Sequence, residues 1–584
     1  MQNILVSASV RKVLTVSITP LVMFVTVAGA VVPLPTKVVN VPYQDNPDPL
    51  LRDLPFLAWH EDLSAVGYVE REIFYSGTAN EYEYIDDAGQ SPLVQVKPGT
   101  QSEYTTRMIV RRPNKLKNFN GVVYLEILNA TAGYDGSPHW NLTYESIIAD
   151  GAAYVGVTYD ENTAEFLSDP VNGWGVAHTD YAGCPERTDP HPAPCGSQAR
   201  NNSRYLEDDD TTPVLNIPSR AYTWDILNQA AALIRDKDNR KNPFFSFEVE
   251  AIIAMGYSQS ARYVTTYGNS FYPSYSEIDC TSEQEALGEC TTPLVNGYIV
   301  AAGSAVSSKL NGEKAHPVPD KRNCENALNR EAPCVETEVE PPATETPLDL
   351  AKFMRYTTES DIRSIRVRQD IGVANVADYD QPDLRTYEAA GTSHVDFWGR
   401  VVGGQVAEYN FGIPANPNPQ SGCDLASMNP IRTGVPLGAI QHRMARWIKF
   451  NELPPPNYFM EWTGDFSQSD LSTGQPLVSW VRDADGNAIN GVRPPRIEVP
   501  LGRYVGSNSL VDEPFSPAKI FCSGIIGGFE EFSQEEIATR YTDRATFAAW
   551  TWWYSYAAYL DGFLLAVDAK TIMDEAKAYE GLPE

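Results

Sequence analysis

Continuous apolar runs and two-residue alternations divide much of this chain into short strands, with helical spacing between them. The clearest run is Ala251-Ile252-Ile253-Ala254-Met255, which ends at Gly256-Tyr257-Ser258-Gln259-Ser260. Tyr263, Val264 and Tyr267 follow at helical spacing, so the stretch predicts a buried strand, a tight turn and the start of a helix. Upstream, residues 121–128 predict a strand, 129–133 a loop, 140–148 a helix and 152–159 another strand. That spacing predicts a right-handed parallel crossover. Residues 64–112 alternate instead, notably at 68–75 and 104–110, and predict antiparallel strands leading into the sheet. Residues 218–236 predict an amphipathic helix through Trp224, Ile226, Leu227, Leu233 and Ile234. Further strands are expected at 294–302, 353–357 and 384–388, and a helix at 440–450, stopped by Pro454, Pro455 and Pro456. Residues 533–578 predict helices rich in aromatics (Phe547, Trp550, Trp552, Trp553, Tyr554, Tyr556, Tyr559), a band expected to pack into a core.

Two polar, Pro-rich stretches break this pattern, at 161–215 and 306–348, and read as insertions beside strand ends where a lid or pocket wall would sit. The organisation that follows is a leader over 1–30, an extended and antiparallel segment over 31–110, an α/β core over 111–450 and a C-terminal extension over 451–584. The expected class is α/β, with a mostly parallel central sheet flanked by helices. No internal repeat interrupts it.

Composition changes the picture in three places. The 584 residues are 42% hydrophobic and 21% charged, enough to bury a sizeable core. A formal net charge of −31 argues against nucleic acid and anionic membrane surfaces as partners. Arg11 and Lys12, the apolar run over 13–27 and Ala28-Gly29-Ala30 have the form of a cleavable signal peptide, which predicts a secreted or periplasmic protein. Export makes the eight cysteines legible as disulfides. Cys184 with Cys195, Cys280 with Cys290 and Cys324 with Cys334 would each close a short polar loop, leaving Cys423 with Cys522 to tie distant segments. Zinc is the rival reading, but no C-x-x-C spacing occurs and the seven histidines are scattered. No metal or other cofactor is expected.

The candidate chemistry starts at Ser258. Small neighbours let strand and helix approach, and they hold the hydroxyl at a helix N-terminus, where free N–H groups favour developing negative charge. Other G-x-S triplets, such as Gly391-Thr392-Ser393, follow no apolar run ending at the glycine. The turn resembles the G-x-S-x-G nucleophile turn of the α/β-hydrolase superfamily, with Ser260 in place of the second glycine. The resemblance implies the chain order serine, then acid, then histidine. Only His316, His394 and His442 follow Ser258. His316 falls in an insertion and His442 inside a helix, whereas His394 lies in a loop just past a strand. The acid is expected in Thr358-Glu359-Ser360-Asp361, where Thr358 and Asp361 align with the glycine and acid of a G-x-x-D turn. Asp361 is the first choice and Glu359 the alternative. Oxyanion donors are expected at the backbone N–H of Gln259 and at Asn129 or Ala130 in the loop after residue 128.

More narrowly, the chain resembles a family of large exported bacterial α/β-hydrolase-domain proteins. The matching stretches are residues 122–160, the serine turn, Gly391-Thr392-Ser393-His394, Asp483-Ala484-Asp485-Gly486-Asn487-Ala488 and Gly491-Val492-Arg493-Pro494-Pro495. The resemblance implies a carboxylic-ester hydrolase acting on a small-molecule ester. A lactonase or amidase with the same three residues, or a non-catalytic binding protein on the same scaffold, are the other readings.

Overall fold

The computed structural model describes residues 32–42, 54–84, 94–169, 202–207, 212–271, 293–303, 310, 351–361, 383–411, 423, 425–469, 476–508 and 525–583. Nine strands form one sheet: β1 (Lys37–Val41), β2 (Tyr68–Ala79), β3 (Ser102–Pro113), β4 (Val122–Ile127), β5 (Ala153–Val157), β6 (Ala251–Tyr257), β7 (Gly297–Ala301), β8 (Lys352–Thr358) and β9 (Leu384–Ala389). Their order is β1-β2-β3-β5-β4-β6-β7-β8-β9. The first three pair antiparallel, and β3 is antiparallel to β5. From β5 to β9 every pairing is parallel. Of the alternating segment at 64–112, residues 68–79 and those from 102 on therefore belong to the central sheet, while 82–84 and 94–96 pair in a small two-stranded sheet of their own.

Every residue of β4, β5, β6, β7 and β9 is buried. Strands covered on both faces read as apolar runs, as β5, β6 and β7 do, whereas β9 also buries Arg385, Thr386 and Glu388. The helices α1 (Pro138–Asp150), α2 (Glu161–Ser168), α3 (Thr223–Arg235), α4 (Gln259–Thr266), α5 (Phe397–Phe411) and α6 (Gly434–Phe450) supply the cover. Neighbouring residues of β7 show the layering. Position 297 faces Met444 and Ile448 of α6, while the Tyr298 ring meets Tyr267 just past α4. Helices α6 and α4 thus lie on opposite faces. Tyr124 of β4 donates to Gln441 O on α6, and Trp224 of α3 packs against Tyr263 of α4.

The helix expected to be amphipathic over 218–236 is buried along its whole length from Thr223 to Arg235. Its outward side is covered too: Trp224 Nε1 donates to Leu310 O and Arg235 Nε to Leu294 O. Helix α6 begins at Gly434, before the expected 440, and α2 is a helix the polar composition after residue 160 concealed.

The C-terminal extension is joined to this core. The bridges Tyr387↔Tyr458 and Ala389↔Val492 cover the outer side of edge strand β9, which removes an open edge. A small antiparallel sheet contains β10 (Ser427–Met428), β11 (Gly502–Val505) and β12 (Gly528–Glu531), so a strand from before residue 450 pairs with the extension. Helices α7 (Gln534–Tyr541), α8 (Arg544–Asp561) and α9 (Ala566–Lys577) end the chain. Here one expectation fails. On α8 only Phe547, Thr551 and Ser555 are buried, and Trp550, Trp552, Trp553, Tyr556 and Tyr559 stand exposed. The helix is aromatic around most of its circumference, but the core takes a single stripe of it.

Cys423 is buried and disulfide-bonded. The other seven cysteines, and with them all four expected pairings, involve positions outside the described residues, as do the leader, His316 and nearly all of 306–348. Among the described residues, no group of three or more His, Cys, Asp or Glu could hold a metal ion, and no helix is long and apolar enough to cross a membrane.

Candidate active site

Strand β6 delivers Ser258 to the C-terminal edge of the sheet, where its N–H makes a last bond to Ala301 O at 3.0 Å. Ser258 has φ 60° and ψ −116°, a backbone state that side chains avoid and that surrounding structure must enforce. Gly256 permits the sharp turn, because a Cβ there would sit 2.5 Å from Ser260 O. Ser260 is fully buried, and its Oγ lies 3.1 Å from both Tyr257 N and Tyr257 O. That explains the departure from glycine: a small hydroxyl fits and ties the turn to itself.

The loop after β4 is drawn onto this turn. Asn129 Nδ2 donates to Tyr257 O at 2.9 Å, and Asn129 Oδ1 accepts from Thr131 N. The backbone N–H of Asn129, however, is committed to Gly136 O at 2.8 Å. Of the two loop donors expected from sequence, Asn129 therefore anchors the loop, and the Ala130 N–H is the one aimed at the turn. It donates to Gln259 Oε1 at 3.2 Å, and the Gln259 amide also meets the Tyr159 hydroxyl at 2.9 Å. Gln259 is the first residue of α4, so its own N–H lies at that helix's N-terminus.

The other two side chains come from the ends of β8 and β9, which are adjacent and parallel. Asp361 Oδ1 lies 2.8 Å from His394 Nδ1. Asp361 Oδ2 accepts from Thr358 N at 3.0 Å and Thr358 Oγ1 at 2.6 Å, so Thr358 closes the turn with its hydroxyl. His394 N donates to Ser360 Oγ at 2.6 Å. Glu359 does not approach the imidazole; its carboxylate accepts from Gly391 N, Gly506 N and Arg482 Nη2. Tyr257 links the two halves. Its hydroxyl donates to His394 O at 2.8 Å and its ring lies 5.2 Å from the imidazole. Burial pushes the Tyr257 phenol well above its ordinary pKa, so it stays a donor. Neither Tyr257 nor the Gln259 side chain was expected here, although both stand inside the serine motif. His442 pairs with Asp150 at 2.7 Å, beside the N-terminal ends of the strands and on the opposite edge from Ser258.

The family described as "Alpha/beta hydrolase domain" matches residues 39–574. The chain belongs to that α/β-hydrolase family. No curated protein matches it. Among solved structures, this hydrolase-family chain is similar to esterase Est22, at 12% identity and a TM-score of 0.27 over 59% of this chain and 79% of that one. It is similar to a thermostable esterase from Pseudomonas putida ECU1011, at 10% identity and 0.24 over 56% and 74%. It is also similar to esterase B from Lactobacillus rhamnosis, at 12% and 0.23 over 54% and 74%.

Proposed function

We propose that this α/β-hydrolase is a secreted serine carboxylic-ester hydrolase working through Ser258, His394 and Asp361. The observation that carries the reading is the Asp361–His394 contact of 2.8 Å at the same sheet edge as the strained Ser258. With Nδ1 facing Asp361, Nε2 is the nitrogen available to take the serine proton. Ser258 Oγ then attacks the acyl carbon, and the C–O bond to the alcohol breaks as His394 returns the proton to the leaving oxygen. Water, deprotonated by the same imidazole, cleaves the acyl-serine ester and releases the acid. Asp361 orients the ring and stabilises its charged form without taking the proton. The N–H groups of Gln259 and Ala130 hold the oxyanion. The Gln259 carbonyl now accepts from Ala130, so the substrate carbonyl oxygen takes over that donor when it binds.

Export rests on the basic, apolar and small-residue pattern over residues 11–30. Sequencing the N-terminus of the secreted chain should find it starting after residue 30. Ser258→Ala should lower turnover of p-nitrophenyl acetate by roughly a thousandfold or more and abolish fluorophosphonate labelling. Full activity in that variant would end this reading.

A further inference from the structure

Glu359, the acid that does not reach His394, is bonded to three separate segments. It is 1% exposed. Its Oε2 accepts from Gly391 N at 2.7 Å, in the loop that carries His394. Its Oε1 accepts from Arg482 Nη2 at 2.8 Å and Gly506 N at 3.2 Å, both in the C-terminal extension. The backbone joins in: Glu359 N donates to Thr392 O at 3.1 Å, and Glu359 O accepts from Trp480 Nε1 at 2.9 Å. The approach is close. A Cβ at Gly506 would lie 2.6 Å from both Glu359 Cβ and Ser360 N. The extension also wraps the histidine loop directly. Val395 N donates to Ile525 O at 2.9 Å, and Asn429 Nδ2 joins Gly391 O to Val505 O at 2.5 and 3.2 Å.

We propose that Glu359, held by Arg482 of the C-terminal extension, is a positioning residue that fixes the acid turn against the histidine loop. The inference rests on the reading of Ser258, His394 and Asp361 given above. Asp361 and His394 sit on two different strand ends, joined by their own contact and by the bond from His394 N to Ser360 Oγ, and such chemistry requires them held within roughly 0.5 Å. A buried carboxylate bridging both loops supplies that constraint, provided its charge is matched. Arg482 matches it, and two backbone N–H groups complete the shell. The extension thereby becomes part of the working geometry of the site.

The test compares wild type with Arg482→Ala, Arg482→Lys, Glu359→Gln and Ser258→Ala, each as the full chain. A one-ångström misplacement of a catalytic group can lower turnover by about a hundredfold, so Arg482→Ala and Glu359→Gln should lower kcat ~10–100-fold. KM for p-nitrophenyl acetate should stay within about twofold, because no substrate contact is removed. Arg482→Lys, which keeps a cation, should recover most of kcat, which simple loss of packing would not produce. Fluorophosphonate labelling of Ser258 should slow in parallel. Glu359→Gln keeps the shape of the side chain and presents one acceptor instead of two, so it decides the matter if Arg482→Ala does not fold. Near-wild-type kcat in both, with Ser258→Ala inactive, would overturn the positioning role and leave the serine mechanism standing. An active Ser258→Ala would instead remove the reading on which it rests.

Discussion

Two buried titratable residues beneath the serine turn pull stability in opposite directions with pH. Glu126 of β4 accepts from His139 N at 2.9 Å and Trp140 N at 3.2 Å at the start of α1, and from the Tyr154 hydroxyl at 2.8 Å. Burial pushes its carboxyl up to about 7, against those hydrogen bonds and the Arg111 charge. Burial pushes the His139 imidazole down to about 4. For Glu126 the folded chain holds the extra proton, so its contribution is full below about 4.5 and is lost as pH rises through 7. For His139 the unfolded chain holds it, so stability present above 6.5 is lost as pH falls through 4. Between about 4.5 and 6.5 the two nearly cancel, each being worth roughly 3 kcal/mol over its full range. Glu126→Gln should expose the His139 slope: relative to wild type, urea denaturation should show about 2 kcal/mol lost between pH 6.5 and 5. His139→Gln should shift the opposite way. Parallel curves for all three proteins would contradict the assignment.

At the scale of elements, the legible parts were those where one period decides. Strands buried on both faces, such as β6, left no alternative to a continuous apolar run, and the end of that run marks Ser258. His394 and Asp361 could be singled out because they follow strands, and the structure brings them within 2.8 Å. Polar partners were not legible. Nothing local in the sequence says that Glu359 faces Arg482, 123 residues away. Such contacts depend on which loops the topology brings together. Helix α8 misled for another reason, because it is aromatic on nearly every side. Asp543 caps it by accepting from Thr546 N, Gly562 ends it, and only the stripe through Phe547, Thr551 and Ser555 meets the core. Trp550, Trp552 and Trp553 are 51%, 51% and 62% exposed, out of eleven tryptophans in the chain. Replacing these three with Phe should remove the component of fluorescence most readily quenched by acrylamide and shift the remaining emission to the blue. Unchanged quenching would mean that this face is covered.

On the scale of the whole molecule, one buried arginine joins the antiparallel half of the sheet to the loop beside Ser258. Arg107 of β3 bonds Glu72 of β2 at 2.8 Å, Phe56 O at 2.9 Å, Thr158 Oγ1 after β5 at 3.1 Å and Asp135 at 2.9 Å. Asp135 lies in the same loop as Ala130, and Glu72 is shared with Arg204. Burial alone would lower the pKa of Arg107, but Tyr205, Asp135 and Glu72 outweigh it and raise it. The cation is therefore fixed, and its removal strands negative charge in a dry interior. Arg107→Met should destabilise the fold by roughly 3–5 kcal/mol, read from chemical denaturation. Adding Asp135→Asn should return part of that loss, since it deletes one of the stranded charges and keeps an acceptor for Thr158. The double variant should still turn over esters more slowly than wild type, because the loop bearing the Ala130 N–H has lost its Arg107 tether to β3. If stability returned in the double variant and turnover returned with it, the tether would have no bearing on the site. If neither returned, Glu72 would be the charge that matters, and Glu72→Gln on the Arg107→Met background would show it.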